Sequence, residues 1–123
     1  MSQSSSPDSG ALSALRTALR QFAAERDWDQ YHSPKNLAIA LSVEAGELLE
    51  LFQWLSEAGS HSLSDDHLAK AREEMADVLL YLIRLADRLD IDLIAAAHDK
   101  LAVNARKYPV DKARGSSRKY TEL

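Results

Sequence analysis

Two pairs of acids have the spacing of a chemical site: Glu44-Ala-Gly-Glu47 and Glu74-Met-Ala-Asp77. Each pair stands at i, i+3, so on a helix both carboxylates share one face. The interval contains Gly59, Ser60, Ser62, Ser64, Asp65 and Asp66, the composition of a turn. The midpoint of the two pairs falls at Ser60–His61, inside that interval. If the flanking segments are antiparallel helices, both pairs come to the same level. Four carboxylates then converge and repel one another unless a cation holds them. Oxygen donors without sulfur suit Mg²⁺, with Mn²⁺ as a substitute, rather than zinc. Mg²⁺ keeps several waters and completes its shell with substrate phosphates. The matching reaction is metal-assisted attack of water on a phosphoryl group.

Two other readings compete. A di-iron carboxylate bundle uses Glu-x-x-His motifs. Here the third residue on is Glu or Asp, and His98 is isolated, which disfavours iron. A helical interaction module with no chemistry is the second. On that view Glu74 and Asp77 are a solvated face, but Glu44 is unexplained: it falls near the middle of an apolar stripe, where a lone carboxylate is costly to bury.

The elements that position these acids follow from periodicity and capping. Leu12, Leu15, Leu19, Phe22 and Ala23 recur at helical spacing and predict a helix to about Arg26. Asp27–Ser33 breaks the period and is rich in aromatics; the preferred reading of Trp28 and Tyr31 is as core plugs, with an exposed connector that stacks on a flat ligand as the alternative. Ser33-Pro34 starts a second helix. It is expected to run to about Ala58, with Gly59 just past its end. Leu37, Leu41, Leu48, Leu51, Phe52 and Leu55 form its stripe, with Glu47 on the edge and Trp54 as a packed edge residue.

Ser64 caps a third helix to about Leu89, with Asp65 and Asp66 favouring its dipole. Leu68, Ala71, Met75, Val78, Leu79, Leu82, Ala86 and Leu89 make a broad apolar face. Leu80 and Ile83 fall outside it, so this helix is expected to be central or covered by another subunit. Asp90 or Asp92 caps a fourth helix through Tyr108, with Ile94, Ala97, Leu101, Ala105 and Tyr108 inward. Pro109 ends it. The fold class is therefore all-α, a four-helix bundle-like protomer.

The 123 residues fit one domain. Hydrophobic residues make up 46%, enough for a core, although a short chain can also lean on partner subunits. Absence of cysteine excludes disulfides and thiolate metal sites. No apolar run approaches a membrane span, and Met1–Gly10 is Ser-rich without the apolar region of a signal peptide, so a cytoplasmic location is expected. Net charge is −4, yet six basic residues stand against one acid from Asn104 to Tyr120. The acidic body argues against a polymeric nucleic-acid partner. The basic end suits a solvated tail or a small polyanion carried with its metal.

The two acid motifs lie in a recognisable setting: Arg26-Asp-Trp-Asp-Gln-Tyr-His32-Ser-Pro-Lys-Asn36, Glu44-Ala-Gly-Glu47-Leu-Leu-Glu-Leu-Phe-Gln-Trp54, Glu73-Glu74-Met-Ala-Asp77-Val-Leu-Leu-Tyr81, Asn104-Ala-Arg-Lys-Tyr108-Pro109-Val, and Lys119-Tyr-Thr-Glu-Leu123. Over residues 12–123 this resembles the MazG-like all-α NTP pyrophosphohydrolases, in particular their dCTP pyrophosphatase branch. The resemblance implies cleavage of a nucleoside triphosphate between the α and β phosphates. It makes Glu44, Glu47, Glu74 and Asp77 the catalytic Mg²⁺ ligands. His32, Trp54, Tyr81 and Asn104 match positions around the nucleotide, with Lys100, Arg106, Lys107 and Tyr108 as candidate phosphate contacts. A homotetramer is implied, and dCTP with its modified forms as substrate; a broader dNTP or a dUTP-type preference is the alternative. Residues 11–110 would be the catalytic domain, between a disordered tail of 1–10 and an irregular basic tail of 111–123.

Overall fold

The computed structural model describes residues 7–123. The chain is helical, with no strand among the described residues. Six α-helices follow in order: α1 (Pro7–Glu25), α2 (Pro34–Glu50), α3 (Glu57–Ser60), α4 (Asp65–Arg88), α5 (Leu93–Lys107) and α6 (Val110–Ala113). Short 3₁₀ turns occupy Asp29–Tyr31 and Tyr120–Glu122. The four long helices of the expectation are α1, α2, α4 and α5. The expected tail of 1–10 lies outside the described residues as far as residue 6; from Pro7 onward it is helix.

Side-chain caps set the starts. The hydroxyl of Ser33 accepts from Asn36 N at 3.1 Å, Ser64 from His67 N at 3.2 Å, and Asp92 from Ala95 N at 3.0 Å. Each satisfies a backbone donor left free in a first turn. The end of α1 is equally specified. Trp28 N donates to Ala23 O at 2.9 Å and Asp27 N to Ala24 O at 3.2 Å, with Asp27 in the left-handed region at φ 55. This pair of bonds is a Schellman closure, with aspartate in the place glycine usually takes.

Three expectations are corrected. The second helix stops at Glu50, not Ala58: Phe52 N and Gln53 N both turn back to Leu49 O. Ser56 then caps α3, accepting from Gly59 N at 3.0 Å, so Gly59 lies inside a short helix rather than beyond a long one. The stretch after Pro109 is not wholly irregular, because Val110–Ala113 and Tyr120–Glu122 are helical. On α5 the expected inner stripe is open, with Leu101 66% exposed.

The structure divides after Asp90 into two compact units. In the first, α4 packs mainly on α2 and also on α1. Its core is small: Ala23, Leu37, Ala71, Ile83 and Ala86 are buried. The face of α4 that turns inward is only partly the one periodicity favours: Ala71 and Ala86 of that face are buried. Ile83 is fully buried, so it needs no second subunit to cover it. Leu68, Met75 and Leu79 from the anticipated apolar face are exposed, while Glu74, Asp77 and Tyr81 are partly covered. A helix that presents carboxylates to its neighbours must leave part of its apolar surface outside.

Candidate active site

Helices α2 and α4 carry the acids. With Leu51–Ser64 joining them, their packing brings Glu44 opposite Glu74 and Asp77. One carboxylate oxygen from each of these three lies within 4.8 Å of the others. Glu44 Oε2 and Glu74 Oε2 are buried and meet no donor. Orphaned buried acceptors are costly and uncommon. Glu47 is not in this trio, but it is close enough to act on both neighbours.

The electrostatics follow. Burial pushes the Glu44 carboxyl from 4.5 up to about 7, helped by the hydrogen bonds that only its protonated form can donate to Glu74 and Glu47 and by the charges of Glu47 and Asp77. Glu74 is also raised, first by burial and then by Glu47 and Asp77, while its bond with Glu44 works the other way. Two carboxyls at this distance titrate as a pair. A proton between them, or a cation, removes the repulsion. The trio offers only oxygen, two of its oxygens lack partners, and a hard divalent cation fits both facts.

Beside the acids a hollow of about 460 Å³ opens between α1, the 27–33 connector and α4. Phe22, Trp28 and Tyr81 give it aromatic walls; His32, Asp77 and Arg84 supply polar groups. Asp77 thus belongs both to the carboxylate trio and to the hollow. The size and lining are those of a small-molecule pocket. The structure therefore brings together Glu44, Glu74, Asp77, His32 and Tyr81 of the expected site residues.

Two aromatic assignments change. Trp28 is not a core plug: it is 43% exposed and packs edgewise between Phe22 at 5.7 Å and His32 at 6.2 Å. Tyr31 is 60% exposed. Trp54 is no packed helix-edge residue. It follows the end of α2, is 88% exposed, and is not among the residues lining the hollow. Lys100, Asn104, Arg106, Lys107 and Tyr108 belong to the second unit. There Tyr108 meets Tyr120 edgewise at 6.0 Å, and Lys107 Nζ lies 4.7 Å over the Tyr120 ring.

Sequence reading missed an ion network behind the hollow. Arg84, only 5% exposed, donates from Nη2 to Asp29 Oδ1 at 2.6 Å and from Nη1 to Asp87 Oδ2 at 3.5 Å. Its Nε donates to His32 Nδ1 at 3.2 Å. Arg20 grips Asp87 with both Nε, at 2.7 Å, and Nη2. The Arg20 bond holds the Asp87 carboxyl below its usual value against the opposing effect of burial. The signal was present: Arg84 is the only charge between Val78 and Ala86. A lone arginine in an apolar run needs a buried partner.

Comparison with known proteins identifies the family. Residues 39–123 match the MazG-like family, and the chain belongs to that family. It is 50% identical over 114 residues to dCTP pyrophosphatase 1 of Homo sapiens, covering 91% of this chain and 67% of that protein. Identity to the Rattus norvegicus dCTP pyrophosphatase 1 is 47% over 114 residues, with the same coverage of 91% and 67%. A crystal structure of a pyrophosphatase from Archaeoglobus fulgidus superposes with a TM-score of 0.77 at 38% identity, covering 89% of this chain and 98% of that one.

Proposed function

We propose that the protein is a Mg²⁺-dependent nucleoside triphosphate pyrophosphohydrolase that converts dCTP and modified dCTP to the monophosphate and pyrophosphate. The observation that carries this is the meeting of Glu44, Glu74 and Asp77 at the edge of an aromatic hollow that Asp77 also lines. A metal-binding acid cluster beside a pocket for a flat ring is what a nucleotide phosphohydrolase requires. The similarity to dCTP pyrophosphatases chooses the base.

In this reading Glu44, Glu47, Glu74 and Asp77 hold the cation, with Mn²⁺ able to replace Mg²⁺. When bound, the ion neutralises phosphate charge and favours hydroxide character in water. The protein's own groups do the rest. A carboxylate of the cluster orients water for attack at the α-phosphorus and takes its proton. The new O–P bond forms as the bridge to the β-phosphate breaks, and pyrophosphate leaves. Trp28 and Tyr81 bound the base, and His32 supplies a polar contact. On the family resemblance, Asn104 and Trp54 are candidate nucleotide contacts, and Lys100, Arg106, Lys107 and Tyr108 candidate phosphate contacts.

Assembly as a homotetramer belongs to the same proposal. Its support is apolar surface left open on α2 and α4: Ile39, Val43, Leu68, Met75 and Leu79. So does a cytoplasmic role in clearing the nucleotide pool. No helix among the described residues is long and apolar enough to cross a membrane. The test is a pyrophosphate-release screen across natural and modified triphosphates, with Mg²⁺ and with EDTA. Expected products are monophosphate and pyrophosphate; orthophosphate with diphosphate would overturn the reading.

A further inference from the structure

We propose that Arg84 is a positioning residue that fixes the hydrogen-bonding polarity of His32, so that the imidazole offers an Nε2–H donor to a ligand in the hollow. Arg84 Nε lies 3.2 Å from His32 Nδ1. A guanidinium only donates, so Nδ1 must be the acceptor and carries no proton. In the neutral ring the proton is then on Nε2. No hydrogen bond occupies His32 Nε2 among the described residues, and both His32 and Arg84 line the hollow.

The guanidinium is held so that it cannot easily offer anything else. Its other nitrogens bond Asp29 and Asp87, and Asp87 is itself clamped by Arg20. The histidine is fixed at its backbone as well, where Arg88 Nε donates to His32 O at 3.0 Å, and Trp28 packs against the ring. The environment agrees: burial and the charge of Arg84 hold the imidazole below its ordinary value, Asp29 opposes them, and Arg88 adds to them.

The ligand group selected is an acceptor oxygen, either the ring carbonyl of a pyrimidine or a phosphate oxygen. A histidine free to change tautomer would accept a donor equally well, so Arg84 contributes selectivity without touching the ligand. The proposal rests on the nucleotide reading of the hollow, but its first test does not require turnover.

That test is a long-range proton–nitrogen spectrum of the full chain with labelled histidine, His32 being assigned with His32→Gln. The wild type should show the Nε2–H tautomer, and Arg84→Lys a loss of that preference. A wild-type Nδ1–H or doubly protonated ring at neutral pH overturns the proposal. Kinetically, Arg84→Lys should raise KM for dCTP about tenfold, the worth of one hydrogen bond, with kcat within about twofold. In a His32→Gln background, where the amide donates without a tautomer choice, Arg84→Lys should cost little. An equal KM rise in both backgrounds means that Arg84 is merely structural. Should Arg84→Lys fail to fold, Asp29→Asn removes one anchor of the guanidinium and should shift tautomer and KM in the same direction; no shift refutes the idea. With 2-thio-dCTP a smaller KM penalty identifies the base carbonyl as the acceptor, and an unchanged penalty a phosphate. A wild type that hydrolyses no triphosphate rejects the functional reading, while the spectrum still decides Arg84 and His32.

Discussion

Glu44 on α2 and Glu74 on α4 face each other, each with one buried oxygen that no protein donor satisfies. Helices pack this way only if something outside the chain, a proton or a cation, repays the cost of the unpaired acceptors. Protein stability and cation binding are therefore coupled through this pair, and removal of either partner is measurable in the fold itself.

Glu44→Gln should abolish turnover, by at least about 100-fold, since even groups behind a metal ligand are worth 10–100-fold. It should nevertheless stabilise the metal-free protein by roughly 1 kcal/mol. The sign depends on pH. The folded carboxyl is raised from 4.5 to about 7, so wild-type and variant stabilities coincide below the lower value. The wild type loses stability as pH rises between the two values, and the variant's advantage is complete above the upper one. Mg²⁺ should reverse the order, because it stabilises the native wild type by mass action and the variant less. Melting curves of both proteins at several pH values, in EDTA and in Mg²⁺, check this. A variant that melts lower in EDTA at pH 8 would show that a protein cation, not a metal, is the natural partner of Glu44.

Asp87→Asn should cost roughly 2 kcal/mol at neutral pH, the scale of hydrogen bonds to a charged group. Its arginine partners hold the folded carboxyl below 3.8. The stability this contributes is complete above that value and disappears as pH falls through the folded one. Denaturant unfolding from pH 7 to pH 2 should therefore show a shallower acid decline in the variant than in the wild type. Parallel curves would mean that Asp87 is not anchored by Arg20 and Arg84.

The helices that carry the acids were legible because their starts are local chemistry. Ser33-Pro34, Ser64-Asp65 and Asp92 cap the chain with their own side chains. The meeting of Glu44 with Glu74 and Asp77 was legible too, since i, i+3 pairs on two helices about a turn have few other solutions. What periodicity could not show is which face of α4 points in. Ala71 and Ala86 of the predicted face are buried, but Glu74 and Asp77 are drawn partly inward as well, and Leu68, Met75 and Leu79 are left outward, against the amphipathic rule. The cap at Ser56 went unread, because the apolar positions through Phe52 and Leu55 continue the helical period and argued for one long helix. The Arg84 network joins residues as far apart as Arg20 and Asp87, and no local pattern records such a pairing.

Assembly should depend on the outward face. Light scattering of the wild type at micromolar concentration is expected to give a species larger than a monomer, with the tetramer as the end point. Met75→Lys with Leu79→Glu places opposite charges on exposed apolar positions of α4 and should yield smaller species, since desolvating either charge is costly. Leu80→Ala serves as the contrast, because Leu80 lines the hollow and should leave the particle size unchanged. Dissociation by Leu80→Ala with none by the double variant would return the interface to the residues that periodicity first pointed to.

Trp28 and Trp54 are the two tryptophans of the chain, so fluorescence separates their roles. Trp28 lines the hollow with Tyr81, whereas Trp54 is almost wholly exposed at 88%. A base entering the hollow should quench Trp28. Trp54→Phe leaves Trp28 as the sole indole and should keep the response to a non-hydrolysable dCTP analogue; Trp28→Phe should lose it. Trp28→Ala should raise KM by about tenfold to 100-fold, matching the ~1–3 kcal/mol that base–aromatic stacking is worth per base, with a smaller change in kcat because the carboxylates are untouched. Tyr81→Phe keeps the ring and removes the hydroxyl, so a KM near wild type there assigns Tyr81 to the wall, and a large rise assigns it a hydrogen bond. If quenching follows Trp54 instead, the base does not enter the hollow between α1 and α4, and the nucleotide is recognised at the turn that follows α2.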